Sequence, residues 1–185
     1  MSYECSMSGK VFNNFDDGIY DDGEWVSWGW LNGQIHTQEL REKFPNSSPE
    51  VAEVLEELIY TCRDYFELTG RYLQIWGELG ELYSEVLYGI KRHRPHTQGS
   101  DGKLGNAFVE VKTISPEKGI HEVVVKRAGN FNKLLIVKIS ENFEFESRLV
   151  NRKDLPKGEG SHVKITWDKA TALNISDFSE DHIEF

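Results

Sequence analysis

Hydrophobic residues follow a helical period in the first half of the chain. Ser48-Pro49-Glu50 has the composition of a helix start, with a serine cap followed by proline and an acid in the first turn. Apolar residues then recur every three or four positions as far as Gly70, which predicts a helix that ends there. A second helix is predicted from about Tyr72 to Tyr88. Its buried stripe is expected to be Leu79, Leu82, Tyr83 and Val86, with Gly89 as the stop.

After residue 98 the period changes from helical to alternating. Residues 107–114 alternate apolar and polar side chains, which predicts a strand with one face towards solvent or a site. Residues 102–106 before it have the composition of a hairpin turn. Further strands are predicted at 121–125, 134–139, 143–150 and 162–167. Residues 134–139 are apolar enough for a central strand, and the last two segments are expected to extend the sheet. The order of elements predicts an α/β (α+β) domain with a mixed sheet flanked by helices.

Both ends of the chain carry weaker patterns. Residues 1–24 are rich in Asn, Asp and Gly, which is typical of turns or a loose arm. Aromatic residues cluster at 24–31, where they either stack on nucleic-acid bases or close one edge of a core. The acidic segment 177–185 is expected to be mobile.

Composition narrows the class of protein. The chain has 185 residues, 38% of them hydrophobic and 28% charged, as in an ordinary globular domain. No run of about 18 apolar residues is present, so no membrane partner is expected. Cys5 and Cys62 have no CxxC spacing, and residues 1–10 lack the apolar segment of a signal peptide. These features favour a cytoplasmic protein.

Charge is distributed unevenly along the sequence. The net charge of -10 argues against an indiscriminate nucleic-acid binder, since phosphate neutralisation needs excess Lys and Arg. Residues 1–60 carry 12 acidic and 3 basic side chains, whereas residues 91–133 carry 4 acidic and 9 basic ones. Two basic runs in the second stretch are candidates for phosphate contact, although solvated loops would look the same. Their residues are Lys91, Arg92 and Arg94 in the first run and Lys126 and Arg127 in the second.

One constellation of charged residues lies within this basic stretch. Asp101 precedes Gly102, the first residue of the predicted hairpin turn. Glu110-Val111-Lys112 begins eight residues after that glycine. Residues i and i+2 of a strand face the same side, so Glu110 and Lys112 share a face and Val111 points into the core. Two carboxylates brought together by a turn repel each other unless a cation lies between them. Mg²⁺ suits such oxygen ligands, and a nearby lysine can orient a metal-activated water.

Gly99-Ser100-Asp101 and Glu110-Val111-Lys112 resemble the motif of the PD-(D/E)XK, restriction-endonuclease-like nucleases. Serine stands where the family name has proline. The family also takes a glutamate from a preceding helix, and Glu81, after Gly80, best matches the usual Gly-Glu pair. Glu78 and Glu85 share one helical face with Glu81 and remain alternatives.

The resemblance implies a Mg²⁺-dependent nuclease that hydrolyses DNA phosphodiester bonds, with Mn²⁺ as a possible substitute. Asp101, Glu110 and Glu81 would be metal ligands, and Lys112 would assist the attacking water. A homodimer would suit the cutting of both strands. The chain is expected to be one domain over 1–185, with a nuclease-like core at about 72–170 and a loop and helical extension at 1–71.

Two other functions stay open at this point. One is a nuclease-fold module that binds or interacts without catalysis, because some members of the superfamily have lost activity. The other is an acidic regulatory protein, in which the acidic surface of residues 1–60 contacts a protein partner. Metal binding separates these possibilities, since a clustered carboxylate site should bind Mg²⁺ or Mn²⁺ and raise the melting temperature. His93 and His96 lack the further ligands of a zinc site.

Overall fold

A computed structural model describes residues 2–94, 97 and 99–170. The acidic segment 177–185, predicted to be mobile, and His96 lie outside the described residues. The chain divides into two compact units, Met1–Pro45 and Asn46–Phe185. The predicted helix that ends at Gly70 therefore belongs to the second unit, together with the predicted core.

The first unit contains two small hairpins and one helix. The segment predicted as turns or a loose arm forms short strands around Trp25, whose ring lies 4.6 Å from the Tyr3 ring and 5.2 Å from the Tyr20 ring between centroids. The helix is capped by the Ser27 hydroxyl, which accepts a hydrogen bond from the Trp30 amide. The elements are β1 (Tyr3–Glu4), β2 (Val11–Phe12), β3 (Gly18–Asp21), β4 (Glu24–Ser27) and α1 (Trp28–Lys43).

The second unit begins with two helices, α2 (Pro49–Thr69) and α3 (Trp76–Tyr88). The predicted start of α2 is confirmed, since the Ser48 hydroxyl accepts a hydrogen bond from the Val51 amide and Pro49 opens the helix. Gly70 ends it with a φ of 65°, a left-handed conformation that glycine adopts without steric cost. The stripe predicted for α3 is also confirmed, because its four residues are buried: Leu79, Leu82, Tyr83 and Val86.

The strands of the second unit are β5 (Lys91–Arg92), β6 (Gly102–Leu104), β7 (Ala107–Ile114), β8 (Glu122–Lys126), β9 (Lys133–Ile139), β10 (Phe145–Asn151) and β11 (His162–Thr166). Five of them form a mixed sheet in the order β10-β9-β7-β6-β5. Among its described strands β7 and β9 run parallel and the other neighbours run antiparallel. β9 lies between two partners, as its apolar sequence predicts.

β8 and β11 form a separate two-stranded ribbon. The expectation that 162–167 extends the main sheet is therefore wrong. The ribbon pairs with itself and buries Val123, Val125, Val163 and Ile165 in a core shared with one face of the sheet. With three helices and mostly antiparallel strands in the described residues, the chain has a mixed α and β architecture, consistent with the α+β class.

The two faces of β7 meet different layers. Glu110 and Lys112 pair in register with Leu134 and Ile136 of β9, which belong to the core under the ribbon. Because side chains at paired positions share a face, Glu110 and Lys112 lie on the ribbon side of the sheet. Thr113 lies on the opposite side, where α3 packs.

Candidate functional site

Asp101 is held in place at the entry to β6. Its backbone amide donates to the Val109 carbonyl at 3.0 Å, and its Oδ2 accepts a hydrogen bond from the Val111 amide at 2.7 Å. The next residue, Gly102, packs tightly against β5 and the residue before it: a Cβ there would lie 2.9 Å from the Lys91 carbonyl oxygen and 2.7 Å from Ile90 Cγ2. These contacts fix the Asp101 carboxylate against β7, on which Glu110 and Lys112 lie.

The Lys112 ammonium lies between two carboxylates. Its Nζ is 2.7 Å from Glu110 Oε1 and 3.9 Å from Asp101 Oδ2. The three side chains are partly buried, with 33% of Lys112, 18% of Glu110 and 27% of Asp101 exposed. The structure therefore brings these three predicted residues together, with one positive charge offsetting two negative ones.

A groove of about 450 Å³ opens over this cluster. One wall comes from the segment before β6 and from β7, and the other comes from the ribbon. Thr97, Val124 and His162 line the groove and were not predicted as site residues. Val124 and His162 lie on the ribbon, far from the motif along the chain, and Thr97 lies close to the motif but outside its pattern. The remaining lining residues are Gly99, Ser100, Asp101, Glu110, Lys112, Lys126 and Gly129.

Glu81 approaches the cluster from α3. Burial and, to a smaller extent, the negative charges of Asp101 and Glu78 raise the pKa of its carboxyl to about 7, although the positive charges of Arg92 and Lys112 oppose the shift. Glu81 is thus in electrostatic contact with the cluster. However, α3 packs on the sheet face opposite the one that carries Glu110 and Lys112, so Glu81 does not line the groove.

The two alternative glutamates of α3 are engaged elsewhere. Glu85 Oε2 lies 2.6 Å from Arg92 Nε, and Glu78 Oε2 lies 3.3 Å from Arg92 Nη1. Glu81 is the helical candidate that remains, and the charges of Asp101 and Lys112 both act on the pKa of its carboxyl.

The five candidate phosphate-binding residues take different positions. Lys126 lines the groove. Arg92 is paired with Glu78 and Glu85, and Arg127 Nη1 donates to the Pro156 carbonyl at 2.8 Å. Lys91 and Arg94 are exposed. The described structure thus brings one of these five cations to the wall of the groove.

The carboxylates of Asp101 and Glu110 are a donor set that fits Mg²⁺. This ion keeps several of its waters and binds to proteins through one or two carboxylates. Within residues 2–94, 97 and 99–170 no group of three or more His, Cys, Asp or Glu side chains is close enough to hold a metal ion. The fit therefore rests on Asp101 and Glu110 with water completing the shell.

No protein-family model and no curated protein sequence matches the chain. Across the same described residues, no helix has the length and apolar character needed to cross a membrane.

Proposed function

We propose that this protein is a Mg²⁺-dependent nuclease that hydrolyses DNA phosphodiester bonds and belongs to the PD-(D/E)XK superfamily. The observation that carries the proposal is the convergence of Asp101, Glu110 and Lys112 within 4 Å contacts at the floor of an open groove. The order of elements supports a restriction-endonuclease-like fold: a helix with Glu81, a hairpin with the motif, and a strand parallel to its second arm.

Each residue of the cluster has a distinct role in this proposal. Asp101 and Glu110 would hold Mg²⁺ through their oxygens, and the ion would supply Lewis acidity to a water at the site. In the present structure Lys112 offsets the charge of the two carboxylates, and a bound Mg²⁺ would supply that positive charge instead. The Lys112 ammonium then becomes available to orient the attacking water or to bind an oxygen of the scissile phosphate.

Glu81 can take up and release protons close to the Asp101, Glu110 and Lys112 cluster. A carboxyl with a pKa of about 7 exchanges a proton readily near neutral pH, whereas an ordinary glutamate stays ionised. Its position on the opposite sheet face favours an indirect role, in which Glu81 positions a bound water. Asp101 and Glu110 remain the primary ligands.

DNA as the substrate is supported by charge close to the groove. Lys126 lies on the groove wall, and the stretch 91–133 is basic in a protein of net charge -10. Such a local cationic surface holds a polyanion with an affinity that falls as salt is added. A homodimer would bring two grooves to the two strands of a duplex, so we propose it for double-strand cleavage.

Plasmid cleavage tests the proposal directly. Supercoiled plasmid, single-stranded DNA and RNA are incubated with the protein in Mg²⁺, in Mn²⁺ and in EDTA. We expect nicked or linear plasmid with either metal and none in EDTA. Glu110→Gln purified in the same way is the control for contaminating nucleases, and it should leave the plasmid intact.

The other outcomes identify the alternatives. DNA binding with a metal-dependent rise in melting temperature, but without cleavage, indicates a catalytically inactive nuclease-fold module. An acidic regulatory protein would show neither DNA binding nor a response to metal. Equal cleavage by wild type and Glu110→Gln would contradict the assignment of the site.

A further inference from the structure

A second depression, of about 230 Å³, adjoins the groove, and Lys126 lines both. Five of its nine lining residues are cationic and none is acidic. It is built by β8, β11 and the segments 127–131 and 152–157. Its lining residues are Lys126, Arg127, Phe131, Arg152, Lys153, Leu155, Pro156, Lys157 and Val163.

These cations differ from their neighbours in lacking counter-charges. On nearby strands Lys138 pairs with Glu146 at 2.8 Å and Lys164 pairs with Glu122 at 3.0 Å. Among the described residues, by contrast, no carboxylate lies within ion-pair distance of the five cations around the depression. Like charges held together repel, so this surface gains stability when an anion binds.

The two arginines of the depression serve to build its walls. Arg152 donates to the carbonyls of Gly129 and Arg127, both at 2.6 Å, and its guanidinium lies 5.0 Å from the centre of the Phe131 ring. Arg127 donates to the Pro156 carbonyl. These contacts tie the segment 127–131 to the segment 152–157.

The three lysines around the depression, unlike the arginines, do not hold its segments together through hydrogen bonds. The ammonium groups of Lys126, Lys153 and Lys157 make no hydrogen bond or ion pair with any described residue. Lysine ammonium groups on flexible stems bind phosphate as point charges and need no fixed geometry from the protein. We call these three residues with their depression the lysine pocket.

We propose that the lysine pocket binds a backbone phosphate of the polynucleotide, next to the phosphate that lies over Asp101 and Glu110. This inference rests on the proposed nuclease function. It adds the path that the substrate's phosphate backbone takes across the protein surface. Lys126 lines both depressions, so consecutive phosphates can pass from the groove to the pocket along this side chain. Phosphate contacts of this kind position the nucleic acid and carry no sequence information.

Binding without metal tests the pocket separately from cleavage. The affinity of wild type and of Lys153→Gln/Lys157→Gln for a labelled DNA of about 20 nucleotides is measured in EDTA at several salt concentrations. We expect the double variant to bind about tenfold more weakly, and the magnitude of the slope of log K against log salt to fall by about one, because one phosphate contact is lost. Lys118→Gln is the matched control, because Lys118 is exposed and lines neither depression. It should change neither quantity.

The results separate this inference from the proposed function. Unchanged binding and slope in the double variant overturn the lysine pocket, even if wild type cleaves DNA. Weaker binding in the double variant, with no cleavage by wild type, supports the pocket and overturns the nuclease. Both lysines are exposed, so the melting temperature should be unchanged. If the melting temperature of the double variant falls, DNA binding is measured with Lys153→Gln and Lys157→Gln separately.

Competitors distinguish the sources of phosphate. Displacement of DNA by millimolar inorganic phosphate, with no preference for the longer polyanion, would overturn the polynucleotide assignment in favour of a free anion. Binding of poly-glutamate as tightly as DNA would overturn the assignment to phosphodiesters. We expect DNA to bind more tightly than either, because several phosphates are contacted at once.

Discussion

Gly80 of α3 packs directly against the side chain of Thr113 of β7. A Cβ built on Gly80 would lie 2.0 Å from Thr113 Oγ1 and 3.2 Å from Thr113 Cβ. No side chain other than hydrogen fits this contact, which sets how closely the helix approaches the strand. Glu81 is the next residue, so the same contact fixes the distance between Glu81 and the cluster on β7.

Gly80→Ala should destabilise the protein by about 1–3 kcal/mol, because the clash forces α3 away from β7 and outweighs the higher helix propensity of alanine. Thermal or urea unfolding measures the change. Gly77→Ala, in the same helix with open space around the glycine, is the control and should be neutral or stabilising.

Thr113→Ala should restore part of the stability lost in Gly80→Ala, since it removes the clashing oxygen. Equal stability of Gly77→Ala and Gly80→Ala would show that α3 does not depend on this contact.

Replacing Asp101 should separate its structural role from its chemical one. Asp101→Asn keeps an oxygen that can accept the hydrogen bond from the Val111 amide, so it should unfold near the wild-type midpoint. Asp101→Ala leaves that amide without its partner and should cost about 1–3 kcal/mol. Both variants should lose the rise in melting temperature with Mg²⁺ and the cleavage of plasmid. A full metal response in Asp101→Asn would remove Asp101 from the ligand set.

Lys112→Ala should lower cleavage by at least about 100-fold, because the group that orients water or phosphate is lost. Its effect on metal binding should have the opposite sign. Without the ammonium, Glu110 and Asp101 face each other unshielded and should bind Mg²⁺ more tightly than wild type does. Isothermal titration and plasmid cleavage measure the two effects, and Lys112→Arg, which retains the charge, should show wild-type metal affinity. Weaker Mg²⁺ binding by Lys112→Ala would contradict the shared-cation geometry.

Glu81 should make metal-free stability depend on pH around neutrality. Its folded-state pKa of about 7 lies above the ordinary 4.5, so the folded protein holds a proton that the unfolded chain releases between these values. The stabilisation from this proton is present at low pH and is lost as pH rises through about 7. Glu81→Gln keeps an uncharged side chain, so in EDTA at about pH 8 it should raise the melting temperature by about 2–4 °C, or about 1 kcal/mol, and much less at about pH 5.

Glu85→Gln is the control for this pH effect, because Glu85 lies on the same helix but pairs with Arg92. Loss of that ion pair should leave stability at about pH 8 unchanged or slightly lower. A stabilisation of the same size in both variants would mean that general negative charge, and not the surroundings of Glu81, sets the effect.

Local patterns predicted most of the regular structure but missed one helix. α1 carries no apolar stripe, since Trp28 and Ile35 are exposed while Leu40 is buried, so periodicity alone gives no helical signal there. The hairpin turn predicted at 102–106 contains fewer residues in the structure, because Gly102–Leu104 already belongs to a strand. Strand pairing across a hairpin extends a strand into residues whose own composition favours a turn.

The sequence by itself determined the elements with strong local signals and the close approach of Asp101, Glu110 and Lys112. Caps, stops and apolar stripes act within a few residues, and a short hairpin leaves its two strands few ways to pair. Only the tertiary structure decided that β8 and β11 form a ribbon of their own, which brings His162 to the groove and places Lys126 and Lys157 around one depression. Likewise, the raised pKa of Glu81 depends on burial and on Asp101. Long-range pairing and burial depend on the free energy of the whole packed unit, which no local window of sequence contains.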